Sequence, residues 1–301
     1  MINPTLLAVS MMATASLLVT VNDALVKEAL VSAETAEVLF FRGLFALAPF
    51  LVYALLRRRP EALMPRNIKL ASLLTLLAVL SLFLFTISLR FIPLASAITL
   101  TYLSPIMVAL ASPLLIGERI SRLQWSAALT GFAGVVVMTS PALEARNWII
   151  LLPVLVAVII AGRDLVIRAS IARERTIALV VWTHLLTVGV AALAFEASWL
   201  RFDMRQFGLY AAAGITVSLG TVGMIAALRH ANAASMAAIK YSCVLWAGVI
   251  GWLVFGEQLS VGMIGGGILI VASGSIIAWY EARNRGAPDT AARPATDSAA
   301  G

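Results

Sequence analysis

Two cations sit where cations are costly. Arg42 lies within Val38-Leu39-Phe40-Phe41-Arg42-Gly43-Leu44-Phe45-Ala46, and Lys240 within Ala237-Ala238-Ile239-Lys240-Tyr241-Ser242. Each is about eight residues into an apolar run, roughly 12 Å at helical rise. A charge at such depth marks a functional site by default. No Asp or Glu is read mid-run to pair with them. A positive pocket of this kind suits a ligand carrying a carboxylate, a phosphate or another electron-rich group. Each cation also has a structural role open to it. Arg42 can tie together carbonyls of neighbouring helices, and Lys240 can snorkel to the membrane surface.

Other residues could complete such a site. Tyr102, Tyr241 and Trp246 can stack on a flat or apolar ligand, or simply pack. Thr101, Ser104 and Ser242, with Thr99 and Cys243, place small polar atoms on the same two segments; their other role is bonding between helices. Asp23 and Asp164 each precede a cation by four residues (Lys27 and Arg168), the spacing of a local helix pair. Asn22 and Arg163 beside them keep proton coupling or gating open. His184 is the intramembrane group whose unperturbed pKa is near neutrality. It fits a coupling proton or a hydrogen-bonded structural role. No metal site is expected, since the two histidines, His184 and His230, are far apart and Cys243 is the single cysteine. No Gly-Lys-Ser/Thr phosphate loop occurs, so neither ATP coupling nor any cofactor is expected.

The elements that position these residues are membrane spans. Of 301 residues, 61% are hydrophobic and 12% charged, against about half and a quarter in soluble domains. The net charge of +7 is dispersed between apolar runs, which argues for membrane flanks rather than a nucleic-acid partner. A span needs about twenty apolar residues. Ten are predicted, at 4–26, 34–56, 68–89, 94–115, 122–141, 146–167, 176–197, 206–228, 233–254 and 261–280. Residues 282–301 lack an apolar face and read as a disordered cytoplasmic tail. The first run has no basic start and reads as a retained span, not a signal. With the N-terminus inside, inner segments hold fourteen Lys and Arg and outer segments five (Lys27, Arg90, Arg146, Arg201, Arg205). Both termini are therefore expected to be cytoplasmic.

The chain also repeats itself. Leu89–Ser121 returns about 139 residues later as Leu228–Ser260. Ala95-Ser96 meets Ala234-Ser235, Tyr102 meets Tyr241, and Gly117-Glu118 meets Gly256-Glu257. The two halves, 1–141 and 142–281, each carry five spans. An odd number inverts the second against the first, and inverted repeats place a binding site near the midplane. The expected fold is all-α, ten transmembrane helices in two inverted five-helix repeats. Arg42 and Lys240 break the symmetry, facing Thr183 and Thr101 in the register, and are expected to face one cavity. Pro105 should break the backbone ladder of its span. Each Gly-Glu pair reads as architecture: Gly stops one helix and Glu bonds the donors opening the next. Small residues at Gly262, Gly266 and Gly267, and at Ala127 and Gly131, suit close helix contacts within one chain or a homodimer.

Phe41-Arg42-Gly43-Leu44-Phe45-Ala46, Ile92-Pro93-Leu94-Ala95-Ser96-Ala97, Ser104-Pro105, Gly117-Glu118-Arg119-Ile120-Ser121, Lys240-Tyr241-Ser242, Trp246-Ala247 and Phe255-Gly256-Glu257 together resemble the drug/metabolite transporter superfamily, in its EamA-type branch. The resemblance spans nearly residues 4–280. It implies a two-repeat helical basket with a central cavity and alternating access. Val244, where the register calls for a second proline, departs from the first half. Similar proteins move amino acids and their analogues, small metallophores, riboflavin, S-adenosylmethionine or toxic amphiphiles. The expected function is export of an amino-acid-like or metallophore-type carboxylate compound. The alternative is uptake of riboflavin, S-adenosylmethionine or a similar aromatic or nucleoside compound. An enzyme or sensor would want a catalytic cluster or an appended soluble domain, and neither is read here.

Overall fold

A computed structural model of the chain describes residues 4–57, 63–116, 121–144, 148–169, 175–201, 203–227, 239, 242–258 and 260–285. All described secondary structure is helical. In order the helices are α1 (Pro4–Ala29), α2 (Thr35–Arg57), α3 (Ile68–Leu89), α4 (Leu94–Thr101), α5 (Ser104–Ile116), α6 (Arg122–Glu144), α7 (Leu152–Ala169), α8 (Thr176–Ala192), α9 (Met204–Ala227), α10 (Ser242–Phe255) and α11 (Val261–Arg285). Short 3-10 turns at Trp148–Leu151 and Ala197–Arg201 lead towards α7 and α9.

Five helical stretches are long and apolar enough to cross a membrane: Leu7–Ala29, Thr35–Val52, Ile68–Leu89, Trp148–Ile167 and Met204–Ala227. Leu94–Val108, Trp125–Met138, Thr176–Ala192, Ser242–Phe255 and Val261–Ile276 are shorter apolar stretches. Large apolar side chains stand exposed along several of them, among them Leu129, Val136, Leu245, Trp252 and Ile268. Such a surface suits lipid as solvent. The chain is a multi-pass membrane protein.

Local chemistry sets the helix ends. The Asn67 side chain accepts from Lys69 N at 3.1 Å and Leu70 N at 3.2 Å, capping α3. The predicted span 94–115 is two helices, broken at Tyr102-Leu103 as Pro105 requires. Pro105 has no N–H to give the carbonyl four residues back. The chain tightens instead, Tyr102 N donating to Thr99 O and Leu103 N to Leu100 O, both at 3.1 Å. Gly256, at φ 62°, ends α10 in the left-handed conformation expected of it; Gly117 lies outside the described residues. α11 runs on to Arg285, into the segment read as tail, because Glu281-Ala282-Arg283 favours helix. The remainder of that segment, and the start of the predicted span 233–254, lie outside the described residues.

Packing follows the small residues. α1 packs on α9, α2 on α8 and α9, α3 on α7, and α6 on α11. A Cβ on Gly134 would lie 2.7 Å from Gly266 O. The Ser273 hydroxyl donates to Ala127 O across the same contact. Gly266, Ala127 and Gly131 therefore serve packing within one chain, one of the two options their spacing left open. On the other side, a Cβ on Gly214 of α9 would lie 2.7 Å from Arg42 O. α9 thus presses directly on the backbone that carries Arg42.

Gly134→Leu is expected to cost about 3 kcal/mol or more, because backbone, not a movable side chain, opposes the added atoms. Gly265→Ala should be tolerated, since nothing lies within 4 Å of its Cβ position. Thermal unfolding of the two purified variants in detergent tests the contrast.

Candidate functional site

Arg42 is 4% exposed, on the inner face of α2. Its Nε donates to Asn22 Oδ1 at 2.7 Å, and Asn22 Nδ2 donates to Asp23 Oδ1 at 2.8 Å. Asn22 thus bridges the guanidinium to a carboxylate, and Asp23 and Arg42 interact electrostatically. This corrects two expectations. A carboxylate does lie within a span to balance Arg42. And Asp23 does not pair with Lys27, which swings away to other partners.

His184 of α8 joins the group. It is 6% exposed, within electrostatic reach of Arg42, with its ring 6.5 Å from that of Phe50. Three groups distant in sequence therefore share one buried polar cluster between α1, α2 and α8. It is unfinished: Arg42 Nη1 and His184 Nδ1 are buried with no hydrogen-bond partner. A buried polar atom left unpaired costs about 1–3 kcal/mol. An acceptor entering beside Arg42 Nη1 removes that cost, and an anion does so with charge assistance.

A second set of open polar atoms lies where α1 meets α10. Cys243 Sγ donates to Ser16 O at 3.5 Å. Ser16 Oγ, Ser242 Oγ and Trp246 Nε1 are buried and unpartnered. Ser242 and Trp246 thus keep the open polar atoms a ligand site needs; Ser16 was missed, being one serine in an apolar run.

Of the remaining predicted residues, Thr101 donates its hydroxyl to Ile98 O of its own helix at 2.7 Å, not to a neighbouring helix as its other role had it. Tyr102 is half-buried at the α4–α5 break, packed against the two largest apolar clusters. Ser104 is buried at the start of α5. Asp164 is half-buried on α7, which packs on α3 and α5, apart from the Arg42 cluster. Lys240 and Tyr241, and the side chain of Arg168, lie outside the described residues. A groove of about 520 Å³ between α4, α10 and α11, lined by Ala95, Thr99, Val244, Gly248, Trp252 and Gly267 among others, is largely apolar and opens on the membrane face. It is separate from the Arg42 cluster.

One end of the bundle is closed by polar contacts. Lys27 Nζ lies 2.9 Å from Glu257 Oε1, donates to Ile92 O at 2.6 Å, and stands 5.5 Å from the centre of the Phe255 ring. Both Glu257 carboxylate oxygens lie 2.9 Å from Leu94 N. This too corrects the sequence reading. Glu257 does not cap the helix that follows it; it caps α4, 163 residues away. Nearby, Arg205 pairs with Glu28, and the Tyr210 hydroxyl donates to Glu37 Oε1 at 2.8 Å. Phe41 stacks on Tyr210 with ring centres 5.3 Å apart.

Comparison with known proteins gives this architecture its class. The model of the EamA-like transporter family matches residues 6–140. The pseudopaline exporter CntI of Pseudomonas aeruginosa is 31% identical over 265 residues, 86% of this chain and 91% of that protein. The riboflavin transporter of Rhizobium johnstonii is 26% identical over 65% of this chain and 66% of its own length. The S-adenosylmethionine uptake transporter of Rickettsia prowazekii is 22% identical, covering 88% and 90%. A solved crystal structure, 21% identical, shares the fold with a TM-score of 0.58, over 93% of this chain and 98% of that one. The chain belongs to the EamA-like transporter family of the drug/metabolite transporter superfamily. It is a transporter, not an enzyme.

Arg42→Met is expected to destabilise the protein by about 3 kcal/mol or more, because it strands Asp23 without its counter-charge. Adding Asp23→Asn should restore part of that loss. Thermal unfolding of the single and double variants checks this, and strictly additive losses would refute the coupling.

Proposed function

We propose that this protein is a secondary carrier of the bacterial inner membrane that exports a small amino-acid-like or metallophore-type carboxylate compound by alternating access. The observation that carries the reading is the Arg42 cluster. A guanidinium is held by Asn22 within an apolar bundle, with Nη1 buried and open. Asp23 offsets the charge without occupying that nitrogen. A substrate carboxylate fits there better than a neutral compound does, since it brings an opposite charge as well as an acceptor. The similarity to an exporter named for pseudopaline, reaching over most of both chains, supports this direction and class.

In this reading ten spans form two inverted halves, 1–141 and 142–281, with both termini cytoplasmic. Lys240 supplies a second cation, and Tyr102, Tyr241, Trp246, Thr101, Ser104 and Ser242 shape the cavity around the substrate. Asp23 and His184, beside Arg42, move a coupling proton or gate the site, and Asp164 has the corresponding place in the second half. The carrier works as a monomer or a homodimer.

Metabolite profiling of cells and medium, with the gene deleted and restored, tests the function. A carboxylate compound should accumulate in the deletant and fall in its medium. Depletion inside with excess outside would overturn export and favour uptake of an aromatic or nucleoside compound. Arg42→Gln and Lys240→Met should each reduce transport of the accumulating compound at least about tenfold, the loss of one charged hydrogen bond. Transport by each variant is compared at equal amounts of folded protein in the membrane. Unchanged export by both would sink the site.

A further inference from the structure

The closed end of the bundle holds a shielded contact that joins the two halves of the sequence through charge. Lys27 ends α1, Ile92 and Leu94 belong to the α3–α4 turn, and Glu257 sits on the turn between α10 and α11. α4 has Pro93 at its N-cap position, with no side-chain cap of its own. Its first donor, Leu94 N, is satisfied by Glu257 from the other half of the chain. The Lys27 ammonium neutralises that carboxylate and ties the α3–α4 turn through Ile92 O.

Burial sets what such a contact can do. The Lys27 and Glu257 side chains are 17% and 9% exposed. An exposed pair holds little, and a fully buried one is too costly to part. This pair is shielded enough to hold, with water near enough to receive both charges when it opens. The neighbouring Arg205–Glu28 pair differs, at 72% and 30% exposed. It joins α1 to α9, helices already pressed together where a Cβ on Gly220 would lie 2.8 Å from Val19 Cγ2. Breaking that pair would free nothing.

We propose that Lys27, Glu257 and the first turn of α4 form an ionic latch that holds this end of the carrier shut. When the latch parts, the α10–α11 turn separates from α1 while α1 and α9 stay together. The proposal rests on the carrier reading above, since only a protein with two alternating openings needs a releasable closure. Glu257 and Lys27 are positioning residues; neither needs to touch the substrate.

The test needs no substrate. In purified Cys243→Ala protein, one spin-label pair at Val31 and Gln258 spans the latch. A reference pair at Val31 and Met204 lies on the α1–α9 side. All three sites are exposed. Electron paramagnetic resonance distances are compared with and without Glu257→Ala and Lys27→Met. The expected result is a severalfold gain in a longer Val31–Gln258 population, with Val31–Met204 unchanged. An unchanged Val31–Gln258 distribution in folded variants overturns the latch. Lengthening of both pairs means general loosening and overturns it as well. If Glu257→Ala does not fold, Glu257→Gln, which keeps an acceptor for Leu94 N, is read by the same criteria. A latch that opens as expected in a protein that exports no carboxylate compound would reject the substrate reading and leave the latch standing.

Discussion

A guanidinium inside a lipid-facing bundle constrains everything around it. Its charge must be balanced and its donors satisfied without water. Asn22 serves both needs in part, accepting from Arg42 Nε and holding the Asp23 carboxylate beside the charge. That fixes the faces of α1 and α2 that look inward. α9 then closes over the Arg42 backbone, where Gly214 admits it to contact distance. α8 brings His184 from the other side. Much of the relation between α1, α2, α8 and α9 follows from burying this one charged group, and Nη1 is left buried without a partner.

The polar groups of the molecule divide by place. Those at the closed end are paired: Lys27 with Glu257, Glu28 with Arg205, Glu37 with Tyr210. Those within the bundle are partly open, among the described residues: Arg42, Arg163, His184, Ser16, Ser242, Trp246. Satisfied groups close a structure, and unsatisfied ones wait for a partner. The lipid-facing exterior and the apolar groove beside α10 take no part in this division.

Much of this was legible in the sequence, and the failures share a cause. Apolar runs, Pro105 and Gly256 act locally, so the helices, the α4–α5 break and the end of α10 could be read from neighbours alone. Arg42 announced itself by its cost. Asp23 and Glu257 were misjudged because each had a plausible local partner, Lys27 four residues on and the next helix start. Tertiary structure offered both a better one. Glu257 could cap the start of α4 and take Lys27 as its counter-charge, which left Asp23 to Arg42. Ion pairs between distant segments leave no mark in spacing. Ser16 left none either, since a serine in a span is ordinary until its neighbours fail to bond it. The repeat register does place Glu118 opposite Glu257, and the Asp23-to-Lys27 spacing recurs, about 141 residues on, as Asp164 to Arg168, so the residue types of the pair occur in both halves.

The meeting of α6 and α11 has its own implication. Where Gly134 and Gly266 touch, main chain lies on main chain with no side chain between. Side chains absorb displacement by changing rotamer; peptide groups in a helix have no such slack. The two helices therefore behave as a single plank. A rearrangement of the bundle would carry α6 and α11 together, since sliding one along the other would drive peptide groups into each other.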